Sequence, residues 1–283
     1  MNYIETPFNY TGSKFKLLSQ ILPEMDLSKK TFVDVFCGGG SVYTNVVDKY
    51  QKVIANDIIT DLVGIHKGLV ESDDIINSTK NLCPGKSNPE GYAELRNSYN
   101  ENPTPDKLWA LMLSCTNNMI RFNQKFKFNQ TYGDRGFSDA TQKKVDNFTK
   151  HIREYKENLV YLSTQFDKIE IDSDMMIYCD PPYGRIKEED GSLGKKQISE
   201  AGYNAFWLKE DDIKLYNFLI NADKVGASFM VSGVLYHDGK TCWMLDKLIS
   251  DGFRYKVIEY DYNKVSRKGD KETREIIITN YEN

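Results

Sequence analysis

Short runs of β-branched and aromatic residues alternate with helical periodicity in the first 70 residues. Thr31–Phe36 (TFVDVF) reads as a strand that meets a glycine cluster, and Ser41–Tyr50 continues with helix-compatible spacing. Lys52–Ala55 reads as a second strand ending at Asn56-Asp57, with apolar residues at helical spacing from Ile58 to Val70. That alternation predicts a parallel α/β sheet. From about Asp61 to Asn158 the strand signal stops. There Pro89–Glu101, Pro105–Cys115 and Asp139–Asn158 read as helices, the second with Thr104 as N-cap and proline in its first turn. A polar and aromatic loop, Asn117–Gly136, precedes the third. Strand signals return at Leu159–Leu162, Lys168–Ile171, Met175–Cys179, Ala227–Val231, Tyr255–Tyr262 and Glu275–Thr279. The expected organisation is an α/β domain (1–60 and 159–283) that encloses a mainly helical insertion (61–158). Gly184–Gly202 reads as a charged loop with little pattern, and Asn263–Arg274 as a hairpin tip.

Composition narrows the class. At 283 residues, with 40% apolar, 28% charged and 12% aromatic residues, the chain is globular and long enough for one large domain or two small ones. The cysteines Cys37, Cys83, Cys115, Cys179 and Cys242 are odd in number and contain no CxxC pair, which supports neither a disulfide framework nor a zinc knuckle. No metal site is expected. The beginning, MNYIETPFNY, lacks the basic end and apolar run of a signal peptide, and no apolar stretch approaches the ~18 residues of a membrane span. A soluble cytoplasmic protein without membrane contact is expected. The formal charge of −4 means that any nucleic-acid surface has to be a local basic patch on an acidic whole.

Three strand ends carry candidate chemistry. The run Phe32–Ser41 (FVDVFCGGGS) ends a strand in three glycines, which allow a ligand close to the backbone. Its spacing is not GxGxxG, so S-adenosylmethionine fits better than a dinucleotide pyrophosphate; a plain strand-to-helix turn explains the glycines equally well. Asp57, at the end of the second strand and 19 residues past Gly38, is placed to hold a ribose diol, or to cap the helix that follows it. Asp180-Pro181-Pro182-Tyr183-Gly184 directly follows the apolar run Met175–Cys179. Two prolines stiffen the backbone there, so that the Asp180 carboxylate and the Pro181 carbonyl can both accept from one NH2 group while Tyr183 stacks on its ring. Alone, this is a proline-rich turn; with the other two strand ends it suits an exocyclic amine.

With those residues in place, the chain resembles the Dam-type DNA adenine-N6 methyltransferases of the D12 class, especially their bacteriophage members, over nearly its whole length. Tyr10-Thr11-Gly12-Ser13-Lys14 is similar to the family's N-terminal cofactor motif, Asp34–Ser41 to its glycine motif, Asp57 to its ribose-binding acid and Asp180–Tyr183 to its catalytic DPPY. The resemblance implies a Rossmann-like methyltransferase sheet with an inserted, mainly helical target-recognition domain. It also implies a cofactor, S-adenosylmethionine, held by Tyr10, Lys14, Asp34, Phe36, Gly38, Gly39, Ser41, Asp57 and Asp180, with Phe166 near its adenine. Asn118-Met119-Ile120-Arg121-Phe122-Asn123 matches the stretch that reads the target, and Arg135 stands where another base-reading arginine does. Ser232–Leu235 and Tyr203–Trp207 are also similar to family segments. Thr131-Tyr132-Gly133 stands where many members have Pro-Phe-Gly, and 185–202 is longer than usual after DPPY.

Local charge agrees with a DNA partner. From Met119 to Lys156 there are nine lysines and arginines against four acids, with Phe122, Phe126, Phe128 and Tyr132 among them. This composition suits phosphate contact and insertion beside bases, although several of these aromatics also suit a small core. Arg121 and Arg135 are candidates for bidentate contact with guanine, Asn123 for an amide-like base edge, and Lys264, Arg267 and Lys268 for a phosphate clamp. A target adenine within GATC or a related site is expected to flip out of the duplex and stack on Tyr183. The enzyme is expected to act as a monomer or weak dimer on DNA. Methylation of cytosine N4 or of an RNA or protein amide stays open, as does an idle DNA-binding module. His66, His151 and His237 are too dispersed to assign a catalytic role and read as structural or surface residues.

Overall fold

The computed structural model describes residues 3–8, 10–182, 184–198, 207–258 and 273–282. Its helices are α1 (Leu18–Ile21), α2 (Ser41–Thr44), α3 (Thr60–Glu71), α4 (Asp74–Leu82), α5 (Pro89–Glu101), α6 (Pro105–Ser114), α7 (Asp139–Glu154), α8 (Lys209–Lys224) and α9 (Trp243–Ser250). Its strands are β1 (Thr31–Asp34), β2 (Lys52–Asn56), β3 (Leu159–Leu162), β4 (Met175–Cys179), β5 (Arg185–Lys187), β6 (Leu193–Gln197), β7 (Ser228–His237), β8 (Lys240–Thr241), β9 (Arg254–Ile258) and β10 (Thr273–Thr279). The chain divides into two compact units, 1–16 with 37–165 and 17–36 with 166–283.

In the first unit β2 and β3 pair in parallel, from Val53 with Leu159 to Asn56 with Leu162. α3 buries Leu62, Ile65, His66 and Leu69, the spacing of one helical face. α6 is buried from Leu108 to Ser114 and packs against α3, α4 and α5, so an all-round apolar helix forms the centre of the helical part. Local chemistry starts the helices around it. The Asn88 side chain accepts from Gly91 N ahead of α5, with proline in the first turn, and the Ser138 hydroxyl accepts from Thr141 N ahead of α7. Past α6 the chain folds back, Gly133 N donating to Ser114 O at 2.9 Å. A Cβ on Gly133 would stand 2.5 Å from the Cys115 carbonyl oxygen, so the close approach requires glycine.

In the second unit β4 runs parallel to β1 and to β7, while β10 is antiparallel to β7 and β9 antiparallel to β10. All five residues of β4 are buried, which is why the strand reads as an unbroken apolar run. α8 and α9 pack on β7, and α9 also on β10. The expected mixed α/β, Rossmann-like arrangement with mostly parallel central strands is present.

Several local expectations change. Lys168–Ile171 is not a strand: Phe166–Lys168 is a 3-10 turn closed by Ile169 N on Phe166 O at 3.2 Å, and its buried residues are Phe166 and Ile169, three apart. The helix after the glycines ends at Thr44 rather than Tyr50. Asn45, next in line, exchanges two hydrogen bonds with the Ile4 main chain at 2.7 and 3.0 Å, a tertiary partner that outweighs helical spacing. The patternless stretch after Gly184 holds the β5–β6 hairpin, turned at Asp190-Gly191 with Gly191 at φ +81°. The strand expected at Ala227–Val231 continues to His237, and α1, α4, α8, α9 and β8 have no counterpart in the sequence reading. Thr104 occupies its N-cap position, yet its hydroxyl donates to Asp106 instead of accepting a main-chain bond.

Candidate functional site

In the first unit the glycine loop rests on the end of β2, Cys37 N donating to Asn56 O at 2.8 Å. Gly38 and Gly40 adopt φ +47° and +77°, where a side chain would be strained. A Cβ on Gly38 would meet the Tyr10 ring at 2.8 Å, and one on Gly39 would meet Tyr10 Cβ at 2.6 Å, so Tyr10 lies flush against the loop. Asp57, buried just past β2, accepts Gly38 N through Oδ2 at 3.1 Å and Ile59 N through Oδ1 at 2.9 Å. Burial raises its pKa, and the main-chain N–H groups of Ile59, Gly38 and Ile58 oppose the rise. Asp57 does not cap α3, whose N-cap is Ile59 with no side-chain cap; it braces the turn ahead of the helix, and each of its oxygens retains acceptor capacity for a hydroxyl. Ser41 is buried at the start of α2, and Lys14 Nζ donates to Gly12 O at 3.4 Å.

The same loop has a second support in His66, in line with the structural reading of that residue. His66 is fully buried, with Nε2 2.8 Å from Gly38 O and Nδ1 2.9 Å from the Tyr43 hydroxyl. A carbonyl only accepts, so Nε2 carries the proton and Nδ1 receives the Tyr43 O–H. Burial lowers the His66 pKa to about 4, keeping the ring neutral near pH 7. Gly38 is thus held at its N–H by Asp57 and at its carbonyl by His66. The available signal was a histidine on the apolar face of α3, in step with Leu62 and Leu69.

In the second unit Asp180 directly follows buried β4 and is half-buried, as are Pro181 and Pro182. Ser232 Oγ, in β7, donates to Asp180 Oδ1 at 3.4 Å and lies 2.7 Å from the Tyr178 hydroxyl, a relay in which the phenol donates to the serine. Burial, and next the Asp180 charge, push the Tyr178 phenol well above its ordinary value, so it stays protonated. Asp34, buried at the end of β1, pairs in register with Tyr178. Phe36, Phe166 and Trp207 form an aromatic triangle with centroids 5.5 to 5.7 Å apart, in which Phe166 and Trp207 are buried and Phe36 is half-buried. Beyond the prolines, Arg185 and the buried Asp212 of α8 approach to 3.8 Å, and a Cβ on Gly184 would meet Cys242 Sγ. Burial pushes Asp212 up to about 6, opposed by the Trp207 indole and the Arg185 charge. Tyr183, Tyr203–Phe206, Lys264, Arg267 and Lys268 lie outside the described residues.

The segment expected to read the target belongs to the first unit, where residues 121–129 form a tight hairpin rather than an open loop. Its aromatics divide. Phe128 is buried and packs edge-on against Tyr99 and Phe122, whereas Phe126 stands at the tip, 72% exposed, between exposed Lys125 and Lys127. Asn123 Oδ1 accepts from Lys125 N and Lys127 N and so braces the turn. Asn118 is buried, donates to Met112 O and accepts from exposed Arg135 at 2.9 Å, while Met119 is half-buried beside it. Part of the counted charge serves the unit itself: Lys144 pairs with Glu5, and Arg153 binds Leu69 O, Ser72 O and Asp73. Among the described residues no group of three or more histidine, cysteine or acidic side chains is placed to hold a metal ion, and no helix is long and apolar enough to cross a membrane.

A parallel α/β fold with a strand-end acid bracing a glycine loop, and with Asp-Pro-Pro at the end of another strand, has the parts of an α/β methyltransferase. Residues 10–264 match the D12 class N6 adenine-specific DNA methyltransferases, and the chain belongs to that family. It is 32% identical over 294 residues to Modification methylase StsI of Streptococcus sanguinis, covering 99% of this chain and 43% of that protein. It is 31% identical to Type II methyltransferase M.FokI of Planomicrobium okeanokoites, covering 100% and 44%. With Type II methyltransferase M.MjaIII of Methanocaldococcus jannaschii the identity is 28%, covering 97% and 99%. The chain thus spans about two-fifths of the length of the first two relatives.

Proposed function

We propose that this chain transfers a methyl group from S-adenosylmethionine to N6 of an adenine in duplex DNA, within GATC or a related short site. The observation that carries the reading is Asp180, set at the end of a fully buried parallel strand, stiffened by two prolines and linked through Ser232 to Tyr178. S-adenosylmethionine, when bound, supplies a methyl group on a sulfonium that a nucleophile can attack. The residues present suit it: a glycine loop at a strand end and, bonded to it, a buried acid whose two oxygens retain acceptor capacity for a diol. Tyr10, Lys14, Asp34, Phe36, Gly38, Gly39, Ser41, Asp57 and Phe166 are assigned to that cofactor.

The N6 lone pair of adenine is delocalised into its ring, and localising it is the task of the protein. Asp180 and the Pro181 carbonyl accept hydrogen bonds from the two N6–H groups and orient the nitrogen; the proton that N6 sheds on methylation passes to Asp180 or to water, S-adenosylhomocysteine being the other product, so catalysis is mainly orientation and electrostatics. A paired base is out of reach of these groups, so the adenine leaves the stack at a cost of about a few kcal/mol, with Tyr183 as its stacking partner. Met119, Arg121, Asn123, Arg135 and the exposed hairpin tip are assigned to the duplex, with buried Asn118 holding Arg135 from behind, as are Lys264, Arg267 and Lys268.

The test is modification-sensitive long-read sequencing of DNA from a methylation-free bacterial host that expresses the chain, alongside Asp180→Ala. N6-methyladenine confined to one short motif is expected. Asp180→Ala is expected to lose at least about 100-fold in methyl transfer while still binding DNA. Full activity of that variant, or modification of cytosine instead, would overturn the reading.

A further inference from the structure

The hairpin that carries Arg121 aims its guanidinium as well as holding it. Asn129 N donates to Arg121 O at 3.0 Å, Phe122 and Phe128 form a bridge, and Asn123 N donates to Lys127 O at 2.9 Å. Arg121 and Asn129 therefore stand opposite each other across an antiparallel pair, where opposed side chains share a face. Arg121 Nε donates to Asn129 Oδ1 at 2.9 Å, and its Nη2 donates to the Asn129 main-chain carbonyl at 2.7 Å. A guanidinium has five N–H donors in a rigid plane, and these two bonds occupy the Nε side. No other hydrogen bond reaches it among the described residues. The end-on edge remains, presenting Nη1 and the second Nη2 proton as two parallel donors.

The frame behind this pair is also fixed. Asn100 of α5 grips the returning strand twice, Nδ2 donating to Phe128 O at 3.0 Å and Oδ1 accepting from Phe128 N at 2.7 Å, and Phe128 itself is buried. Arg121 is half-buried, so its side chain is ordered before any ligand arrives. Two parallel donors match the O6 and N7 acceptors that guanine displays in the major groove, and mismatch adenine, which sets a donor beside an acceptor.

We infer that Asn129 is a specificity-determining positioning residue: it occupies the Nε side of Arg121 and presets the free end-on edge as a two-donor fork for one guanine of the target duplex. This rests on the proposal that Arg121 reads the DNA. Asn129 acts through the arginine and touches no reacting atom.

The test treats duplexes randomised around the methylated adenine with the full chain and with Arg121→Ala, Asn129→Ala, Asn129→Asp and the Arg121→Ala/Asn129→Ala pair. Modified adenines are then read by sequencing, and KM for duplex DNA is compared with kcat. Asn129→Ala keeps the main-chain bonds of the hairpin and is expected to lose about tenfold in preference for guanine at one position, the position at which Arg121→Ala also loses it. The loss falls on KM more than on kcat, and the double variant is no less selective than Arg121→Ala. Asn129→Asp keeps an acceptor beside Nε and is expected to restore the preference, which a general weakening of the fold would not allow. Arg121→Ala relaxing a position that Asn129→Ala leaves intact would overturn the inference, as would equal losses in the alanine and aspartate variants. An unchanged preference in Arg121→Ala is a different result, which removes the arginine from base reading altogether.

Discussion

Replacing His66 with phenylalanine separates two effects of opposite sign. Phenylalanine keeps a ring against Phe8 and Tyr161, which lie 4.8 and 6.4 Å from the imidazole, but has no partner for the Gly38 carbonyl or the Tyr43 hydroxyl. A buried polar group left without its bond costs about 1–3 kcal/mol, and Tyr43 retains a contact with the Tyr161 hydroxyl at 3.4 Å, so the variant is expected to be about 2 kcal/mol less stable at pH 7.5. Acid narrows the gap. The wild-type imidazole titrates near 6.5 when unfolded and near 4 when folded, so between those values the unfolded chain binds more protons and stability falls with pH. The contribution is intact above 6.5 and exhausted below 4. At pH 5 the loss spans 1.5 pH units at about 1.4 kcal/mol each, roughly 2 kcal/mol. Asp57 and Asp212, raised by burial, bind protons in the folded state and act in the opposite direction, but both chains contain them and they cancel in the difference. Urea unfolding of both proteins at pH 7.5, 6.5, 5.5 and 5.0 is expected to show the gap closing from about 2 kcal/mol towards zero. A gap independent of pH would mean that His66 is not a buried neutral imidazole, and the two-sided hold on Gly38 would lose its basis.

Gly39→Ala drives a methyl against Tyr10 Cβ, where 2.6 Å is available, and is expected to weaken S-adenosylmethionine binding by about tenfold in calorimetry; unchanged affinity would separate the glycine loop from the cofactor. Phe126→Ala at the hairpin tip is expected to move stability by less than about 0.5 kcal/mol, because the side chain is 72% exposed, and to weaken duplex binding by about tenfold in fluorescence anisotropy. Equal affinity would remove the tip from the DNA surface.

What was legible in the sequence had local causes. β4 was readable because a strand buried on both faces has to be apolar at every position, and α5 because Asn88 and Pro89 mark its start beside a periodic run. Asp57, the glycines and Asp180 were readable because each stands where a strand signal stops. The failures had local causes too. Lys168–Ile171 alternates polar and apolar residues like a strand, whereas its burial follows the three-residue period of a turn that begins at Phe166. α8 opens on Lys209-Glu210-Asp211-Asp212 and hid its buried residues behind that charge. His66 and Ser232 act on Gly38 and Asp180, 28 and 52 positions away, and nothing adjacent to them announces the partner.

The basic, aromatic stretch from Met119 onward shows why composition alone overstates a binding surface. Counted as residues, Phe122, Phe126, Phe128 and Tyr132 are one patch; in the fold Phe128 is core, Phe122 packs against it, and the Tyr132 hydroxyl donates to Gly85 O. Counted as charge, Lys127 and Arg153 are free cations, yet Lys127 donates to Asn100 O and Arg153 binds two main-chain carbonyls. Charge acts over a Debye length whatever its hydrogen bonds, so these residues still attract a polyanion. Base reading is different, because it needs donors that are both unspent and aimed. Arg121 meets that condition through bonds it already makes: Asn129 spends one side of the guanidinium and thereby orients the other. If Arg121 reads a base, this internal hydrogen bond is part of what makes it selective, and a count of exposed cations would have discarded it.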